Sequence, residues 1–374
     1  MGFFGKEKVN AAVTVLLLFA VILVFTIADI AGEDRLYSET ENRLLASKPE
    51  LSAENLIRGS FARDYENYVT DQFVSRDKWI SIKTYVDLIL QKQEMGGVYL
   101  GKDGYLLEQH SPEDYTRETI DKRLQLLKKL VDDWEADVML VPTADNILTD
   151  KMPANAPCFS QEVFLEEVRD LVGSEHYVDA FSMLKEHSEE EIYYRTDHHW
   201  TSLGAYYGYR AWADFAGEKP YPYNTDTMVP ASSDFLGTLH SKVNIAWKKD
   251  SIYYFGETDI MPVTVTYDMQ KTTNSLYEED YLDTKNQYGF FLDDNHALVE
   301  INTGNQTGKT LFVIKDSYAN CFVPLVLPHY DTVYMLDLRY YNGRLYELLQ
   351  QYADDADVLV LYNCIHFLEN FVYS

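Results

Sequence analysis

Continuous apolar runs of strand length most constrain how this 374-residue chain can fold. Such runs are typical of strands buried on both faces, as in a parallel sheet. They read ADVMLVP (136–142), KTLFVIKDS (309–317), TVYMLDLR (332–339) and ADVLVLYN (356–363). A helical pattern precedes the first run, where apolar residues recur every three to four positions: Ile120, Leu124, Leu127, Val131 and Trp134. A second helical pattern, RLYELLQQYA, precedes the last run. This alternation predicts an α/β domain of three layers, α/β/α, with a mainly parallel sheet.

Three of the predicted strands run into loops that carry polar side chains. The loops are VPTADN (141–146), KDSYAN (315–320) and LYNCIH (361–366). In open parallel sheets, ligands bind at the carboxyl ends of the strands, where such loops meet. The sequence therefore predicts a functional site at this edge of the sheet.

The N-terminal region contains an apolar run that is long enough to span a bilayer. Residues 11–28 carry no charge, and about 18 residues is near the lower limit for a membrane-spanning helix. Lys6 and Lys8 precede the run and acidic residues follow it. The positive-inside bias then predicts a cytoplasmic segment at 1–10, a transmembrane helix at 11–30 and an extracytoplasmic remainder, in a single-pass protein of the cell membrane. The alternative is a cleaved signal peptide, which would give a secreted protein.

The chain is strongly acidic. Lys and Arg total 32 and Asp and Glu total 60, so the formal net charge is −28. The field of such a surface repels phosphate polymers at long range, and nucleic acid is not an expected partner.

The part of the chain after the apolar run has two regions. Residues 31–95 contain a polar linker, ENRLLASKPELS, and an amphipathic helical stretch, DYENYVTDQFVSRDKWISIKTYVDLIL (64–90), that lead into the main domain. From residue 96, the glycines and alternating apolar residues of GGVYLGKDGYLLEQ predict a hairpin. We expect the main domain to occupy 96–374.

Cysteines are few for an exported chain and odd in number: Cys158, Cys321 and Cys364. No disulfide framework follows from them, and at most one bridge is possible. Cys321 and Cys364 are the favoured pair, because each lies beside a predicted strand of the same domain.

The hexapeptide TDHHWT (196–201) places an acid, two imidazoles and an indole side by side, before a helical pattern. A metal site is one interpretation, but adjacent residues such as His198 and His199 tend to point apart, and no paired spacing supplies further ligands. The second is a catalytic pair, in which Asp197 accepts a hydrogen bond from Nδ1 of His199 and leaves Nε2 as a general base. The third is a solvated, hydrogen-bonded loop with Trp200 buried.

A nucleophile for such a pair is offered by FVIKDSYAN (312–320). Ser317 directly follows a predicted buried strand and precedes a helical segment, so its hydroxyl is expected at the carboxyl edge of the sheet. Backbone N–H groups at that turn can stabilise a developing oxyanion. The alternative is that Ser317 only caps the helix.

Four strings together carry a resemblance: TDHHWTSLGAYYGY, VIKDSYAN, ENRLLASKP and DQFVSRDKW. From about Glu41 to its end, the chain resembles the DHHW family of exported bacterial proteins, relatives of the alginate O-acetyltransferases in the SGNH hydrolase superfamily. The resemblance implies a flavodoxin-like SGNH fold in permuted order, with the Asp-x-His element before the serine. It also implies Ser317 as nucleophile, His199 as base and Asp197 as the residue that orients the base.

Two features depart from the SGNH pattern. Lys315 stands where the superfamily has a glycine before Asp-Ser, and the Gly-x-Asn block that donates to the oxyanion appears only as LDDNHALV. Asn295 is the candidate oxyanion donor in that string. Asp316 is expected to brace the turn rather than to take part in the chemistry.

The residues and the resemblance together predict acyl transfer through an acetyl-serine intermediate. We expect an extracytoplasmic O-acetyltransferase that acts on a cell-surface or secreted polysaccharide and needs neither cofactor nor metal. The alternatives are a carbohydrate O-acetylesterase with the same triad and a catalytically silent polysaccharide-binding or scaffold protein. Acetyl-coenzyme A is not available outside the membrane, so a transferase would need a membrane-bound O-acyltransferase as its acetyl donor partner.

Aromatic side chains can form stacking platforms for sugars, and the chain has 30 Tyr and 5 Trp. Most of them are expected in the core. The candidates for substrate contact are those in the loops near the predicted site, namely Tyr318, which follows the nucleophile, Tyr194 and Trp200.

Overall fold

The computed structural model describes residues 3–38, 43–245, 247–256, 263–341, 345–350 and 356–373. The chain forms two compact units, 1–90 and 91–374. The start of the main domain at residue 96 stays a prediction.

The first unit contains the long apolar helix expected from the sequence. Its elements are α1 (Phe3–Ala31), β1 (Tyr37–Ser38), β2 (Arg43–Leu44), α2 (Ala53–Ile57), α3 (Ser60–Gln72) and α4 (Arg76–Ile89). Among the described residues, only the segment Asn10–Ala31 is a helix long and apolar enough to cross a membrane. This helix is compatible with either a signal anchor or a signal peptide. The amphipathic stretch forms two helices rather than one, because the backbone turns at Ser75, which has a φ of 55°.

The second unit alternates strands and helices. In chain order, its elements are β3 (Glu94–Met95), β4 (Val98–Leu100), β5 (Leu106–Glu108), α5 (Arg117–Trp134), β6 (Asp137–Val141), α6 (Ala144–Ile147), α7 (Gln161–Val172), α8 (Ala180–Glu186), α9 (Ser202–Ala216), β7 (Val229–Phe235), α10 (Thr238–Val243), β8 (Asp250–Tyr254), β9 (Thr264–Tyr267), β10 (Lys271–Thr273), β11 (Leu298–Asn302), β12 (Thr310–Lys315), α11 (Ala319–Val326), β13 (Thr332–Leu336), α12 (Leu345–Gln350), β14 (Ala356–Asn363) and α13 (Cys364–Asn370). The predicted hairpin is confirmed as β4 and β5, which pair antiparallel.

Within the described residues, the main sheet has seven strands in the order β10-β9-β11-β13-β12-β14-β6. The last four of these strands pair parallel, as predicted. The other three extend the sheet by antiparallel pairing, so the sheet is mixed. These three strands were not predicted, because they are short and none carries a continuous apolar run. β9 and β11 mix buried with partly exposed residues, and no residue of β10 is buried.

Two hydrophobic layers cover the two faces of the sheet. Alternate residues of β12 enter different layers: Leu311 and Val313 pack into one, and Phe312 and Ile314 into the other. Helices α8, α9 and α11 line the first layer, whereas α5, α7 and α13 line the second. Burial on both faces explains why the central strands are continuously apolar.

The single bridge that the sequence left possible, between Cys321 and Cys364, does not form. Cys321 packs in the first layer and Cys364 in the second, so the sheet separates the two side chains. All three cysteines of the chain are free.

The parallel strands end together at one edge of the sheet. Lys315 at the end of β12 pairs with Leu361 of β14, and β14 in turn pairs with β6 up to Val141. The loops after β6, β12 and β14 therefore lie side by side, as the sequence predicted.

Candidate active site

Three side chains from two distant segments meet at this edge of the sheet. His199 Nδ1 lies 2.6 Å from Asp197 Oδ1, and His199 Nε2 lies 2.7 Å from Ser317 Oγ. With the ring hydrogen on Nδ1 donated to the carboxylate, Nε2 accepts the hydroxyl hydrogen of Ser317. All three residues are buried. The structure thus brings together the three residues that the sequence proposed as nucleophile, base and orienting acid.

Ser317 sits in a tight turn that Asp316 fastens to the neighbouring strand. Asp316 Oδ1 accepts the N–H of Tyr318 (2.9 Å), and Oδ2 accepts the N–H of Asn363 at the end of β14 (2.9 Å). His366 Nδ1 lies 3.0 Å from the same Oδ2. Burial alone would raise the pKa of Asp316, but these hydrogen bonds lower it below its usual value. Asp316 therefore braces the turn, as expected from the sequence.

The backbone N–H of Ser317 differs from those of the residues that follow it in its hydrogen bonding. The N–H groups of Ala319 and Asn320 donate to the carbonyls of Asp316 and Ser317. Among the residues that the structure describes, the N–H of Ser317 donates to no other group. It can therefore donate to an oxyanion formed next to Ser317 Oγ.

Asp197 is held by the N-terminus of α10. Its Oδ2 accepts the Thr238 N–H (2.8 Å) and the Thr238 hydroxyl (3.0 Å), while its Oδ1 also accepts the His199 N–H (3.0 Å). A Cβ on Gly237 would lie 2.2 Å from the Asp197 Cβ, so only glycine permits this approach. Burial alone would raise the pKa of Asp197, but the adjacent imidazoles and these hydrogen bonds lower it well below its usual range. Asp197 is therefore ionised.

The loop of the hexapeptide is fixed by Asp250 in β8. Its carboxylate accepts the N–H groups of Arg195 (2.9 Å) and Thr196 (2.7 Å) and the Thr196 hydroxyl (2.6 Å). The N–H of Tyr194 donates to the carbonyl of His199 at 3.2 Å. The loop is thus a buried, hydrogen-bonded structure rather than a solvated one.

Tyr288 is a residue of the candidate site that the sequence did not indicate. Its ring stacks on the His199 imidazole, with centroids 3.7 Å apart and planes 11° apart. Its hydroxyl lies 3.3 Å from the Ser317 carbonyl and 3.2 Å from Cys321 Sγ. Tyr288 therefore packs on the ring of His199 and contacts the backbone of Ser317. It lies in a short 3-10 helix, Gln287–Phe290, and no pattern in the sequence marks such a contact.

The prediction that Tyr318, Trp200 and Tyr194 offer stacking surfaces to a sugar is corrected. All three side chains are buried, with exposures of 0%, 0% and 2%. Trp200 Nε1 donates to the Tyr318 carbonyl (3.0 Å), and the Tyr318 hydroxyl donates to the His198 carbonyl. These aromatic residues hold the hexapeptide against the turn of Ser317 instead of facing solvent.

Asn295 lies in a polar cluster around Lys315. The buried Lys315 Nζ donates to Asn295 Oδ1 (3.0 Å) and to Asn320 Oδ1 (2.8 Å), and Asn295 Nδ2 donates to Asp294 (2.9 Å). Burial lowers the pKa of Lys315 to about 8. No hydrogen bond joins Asn295 to Ser317 among the described residues, and its role as oxyanion donor stays a prediction.

His198 lies beside the triad without joining it. Its ring is 3.9 Å from that of His199 and 5.4 Å from that of His366, centroid to centroid, and its Nδ1 lies 2.7 Å from Thr238 Oγ1. Burial and the neighbouring His199 lower the pKa of His198 to about 3, so the ring is neutral.

The expectation that the adjacent imidazoles point apart is wrong. Ligand atoms of Asp197, His198 and His199 all lie within 4.8 Å of one another. Nδ1 of His199 contacts Asp197 and Nε2 contacts Ser317. A metal bound by this group would therefore compete with the triad.

A second buried network lies beside the loop that follows β6. His110 Nδ1 is 3.2 Å from Asp145 Oδ2, and its Nε2 is 3.7 Å from Glu108 Oε2. Glu108 also forms an ion pair with Lys242. Burial alone would lower the pKa of His110, but the two carboxylates raise it to about 9. His110 is therefore an imidazolium at neutral pH.

Comparison with known sequences identifies one family. The sequence model described as DHHW protein matches residues 93–336, which is more than half of the chain. Comparison with curated proteins gives no match.

Solved structures of similar fold cover most of the chain. A crystal structure at 1.49 Å of a DHHW family protein from Eubacterium siraeum has a TM-score of 0.61 and 21% identity, and covers 75% of this chain and 97% of that one. Bacillus cereus PatB1 with a sulfonyl adduct has a TM-score of 0.59 and 23% identity, with coverage of 74% and 98%. These two similarities show a shared fold. The O-acetyltransferase domain of Pseudomonas putida AlgJ has a TM-score of 0.45 and 14% identity, with coverage of 74% and 94%.

Proposed function

The chain belongs to the DHHW family, and from this premise we propose that it is an extracytoplasmic O-acetyltransferase that modifies a cell-surface or secreted polysaccharide. The observation that carries the proposal is the line of contacts from Asp197 through His199 to Ser317, with distances of 2.6 and 2.7 Å. In this proposal, residues 96–374 form the catalytic domain, and the Asp-x-His element precedes the serine in the permuted SGNH order.

The first half-reaction forms an acetyl-serine. His199 Nε2 takes the proton of Ser317 while Oγ attacks the acetyl carbonyl of the donor. The tetrahedral intermediate collapses, the bond between the acetyl carbon and the donor oxygen breaks, and His199 returns the proton to that oxygen. Asp197 stays ionised throughout and stabilises the imidazolium, in keeping with its low pKa.

The oxyanion of this intermediate needs donors that are already in place. The Ser317 N–H is suitable because its neighbours' N–H groups are used within the turn. Asn295 is the second proposed donor, and its orientation depends on the hydrogen bond from Lys315.

The second half-reaction decides between transferase and esterase. A sugar hydroxyl gives its proton to His199 Nε2 and attacks the acetyl-serine carbonyl, and Ser317 Oγ leaves and recovers the proton. Water in the place of the sugar would make the same triad an esterase. The resemblance to the alginate O-acetyltransferases favours the sugar.

The proposed location follows from the N-terminal helix. A retained α1 would anchor the protein in the membrane with unit 2 outside, where no acetyl-coenzyme A is available. The acetyl group would then be delivered across the bilayer by a membrane-bound O-acyltransferase. The long apolar segment Asn10–Ala31 supports this arrangement.

Replacement of the nucleophile tests the proposal. Ser317→Ala should lower turnover of a short-chain aryl acetate by about 10⁴-fold or more, as loss of a triad member typically does. Ser232→Ala is the matched control, because its hydroxyl bonds to Asp234 and Gln287 away from the triad. Retention of more than a tenth of the activity in Ser317→Ala would show that Ser317 is not the nucleophile.

Whether the protein adds or removes acetyl groups is determined from the surface glycan of cells that produce the Ser317 variant. The surface glycan should lose O-acetyl groups when Ser317 is replaced, as measured by NMR of the purified polymer. A gain of O-acetyl groups would identify a deacetylase. An unchanged polymer would favour a silent binding protein.

A further inference from the structure

The segment DQFVSRDKW (71–79), which the proposed reaction does not use, connects α3 and α4 to the C-terminal end of α1. The Val74 N–H donates to Asp29 Oδ1 at 2.8 Å. Gln72 bonds to both the N–H and the carbonyl of Arg35, each at 2.9 Å. Phe73 extends the contact into the apolar part of α1. Within unit 1, this segment therefore links α3 and α4 to the end of the apolar helix.

Aromatic contacts reach further along α1. The Phe25 ring lies 5.8 Å from the ring of Phe73 and 5.7 Å from that of Trp79, centroid to centroid. Phe25 precedes Asp29, the first charged residue after the uncharged run, by four residues. At 1.5 Å per residue, Phe25 lies about 6 Å inside the charged end of the helix. If α1 spans the membrane, Trp79 lies at the boundary between headgroups and acyl chains, where tryptophan is enriched.

One face of α4 is apolar and exposed. Trp79, Ile82, Val86 and Ile89 follow one another at spacings of three and four residues and are 44%, 50%, 48% and 80% exposed. Leu90, directly after the helix, continues the face and is 64% exposed. The buried residues of α4 are polar and lie on a different side of the helix. A contiguous apolar face of this kind on a helix indicates a binding surface.

The surroundings of this face fit a phospholipid. Lys78 and Lys83 are exposed, and Lys83 shares an ion pair with Asp87. A groove of about 450 Å³ between α3 and α4 has an apolar floor and basic residues in its lining: Val69, Thr70, Phe73, Arg76, Trp79, Ile80 and Lys83. Apolar residues bordered by lysine and arginine are typical of helices that lie in the membrane interface.

We propose that α4 lies on the outer leaflet of the membrane, with the face formed by Trp79, Ile82, Val86, Ile89 and Leu90 inserted among the phospholipids. Its continuity with the outer end of α1 favours lipid over a second copy or a protein partner. The inference requires α1 as a membrane anchor and is independent of the acetyl-transfer reaction.

The tryptophan distribution makes a direct test possible. The chain has five tryptophans, and α1 contains none. The full chain is reconstituted in phosphatidylcholine–phosphatidylglycerol vesicles whose acyl chains are brominated near the carbonyl end, because bromine quenches tryptophan emission on contact. Vesicles that carry the protein are isolated by flotation, and their emission is compared with that in unbrominated vesicles. The same measurement is made on Trp79→Phe, which keeps an aromatic ring against Phe25.

The wild type should be quenched, and Trp79→Phe should lose that quenching. Trp247→Phe is the control, since Trp247 is 54% exposed in unit 2 and its replacement should leave the quenching intact. An unquenched wild type in floated vesicles would overturn the proposal and indicate that protein covers the face. Quenching that survives in Trp79→Phe would overturn it in favour of another surface. If the full chain does not float with the vesicles, α1 is not a membrane anchor and the proposal is overturned. This outcome does not depend on whether the protein has esterase activity.

Discussion

The two histidines of the hexapeptide have different surroundings. His199 contacts Asp197 and Ser317 through its two ring nitrogens. His198 contacts Thr238 and keeps a neutral ring, since burial lowers its pKa to about 3. In the proposed reaction, His199 moves the proton and His198 fills the space beside it.

Separate replacement of the histidines should distinguish these roles. His199→Ala should lower kcat/KM for an aryl acetate by about 10⁴-fold or more, because it removes the base. His198→Ala should lower kcat/KM by less than about tenfold, because it removes packing and one hydrogen bond. The reverse ranking would show that His198 is the base. A requirement for added zinc would favour the metal interpretation.

At the residue scale, sequence reasoning found the groups with distinctive chemistry and missed those that act by contact. The meeting of Asp197, His199 and Ser317 could be predicted, whereas their catalytic roles stay predictions. Asp197 and His199 stand in a string of polar and aromatic side chains before a helical pattern, and Ser317 directly follows a predicted buried strand. Tyr288 could not be predicted, because its stacking on His199 depends on a short 3-10 helix whose position is set by tertiary packing. The prediction that Tyr318 is exposed to substrate is wrong, because the loops pack together and bury its side chain.

At the scale of elements, the site depends on how closely α10 approaches the loop of the hexapeptide. Thr238, the first residue of α10, donates two hydrogen bonds to Asp197. The preceding Gly237 has backbone so near to Asp197 that a Cβ there would lie 2.3 Å from Oδ2. The position of the orienting acid is therefore set by the packing of one helix end.

Gly237→Ala should displace Asp197 and impair the base. We expect kcat to fall by about 10²-fold, the effect of a displacement of about 1 Å at a catalytic group. Gly256→Ala is the matched control, because within the described part of the chain its Cβ would meet only a Val229 methyl group, at 3.3 Å. Steady-state kinetics and melting temperatures of both variants check the expectation. Full activity in Gly237→Ala would show that Asp197 tolerates movement.

The predictability of the elements follows from their burial. β6, β12 and β14 could be placed because both of their faces are buried and their sequences are continuously apolar. β9, β10 and β11 could not, because one or both faces are partly exposed and their residues read as loop. The break between α3 and α4 could not be predicted either, because the amphipathic pattern continues across it.

At the scale of the whole molecule, the buried imidazolium of His110 links the stability of unit 2 to pH. It joins Asp145 of α6 to Glu108 of β5. Its pKa of about 9 in the folded protein exceeds the ordinary value of 6.5. The contribution of His110 to the free energy of unfolding is therefore complete below pH 6.5 and is lost as the pH rises to about 9.

The stability of the full chain should fall between these two pH values because of His110. The pKa difference corresponds to a contribution of up to about 3 kcal/mol. Thermal unfolding in detergent should give a difference in melting temperature between wild type and His110→Asn that is large near neutral pH and decreases in alkaline buffer. A difference that does not change with pH would mean that His110 is neutral when folded.

The three free thiols have a consequence for the redox environment of the chain. Burial raises the pKa of Cys321 to about 12 and also raises that of Cys364, and burial together with the nearby Asp145 raises the pKa of Cys158. Only thiolates attack disulfides, so thiols of this kind exchange slowly in an oxidising compartment. The folded protein should therefore keep the same thiol content under oxidising and reducing conditions.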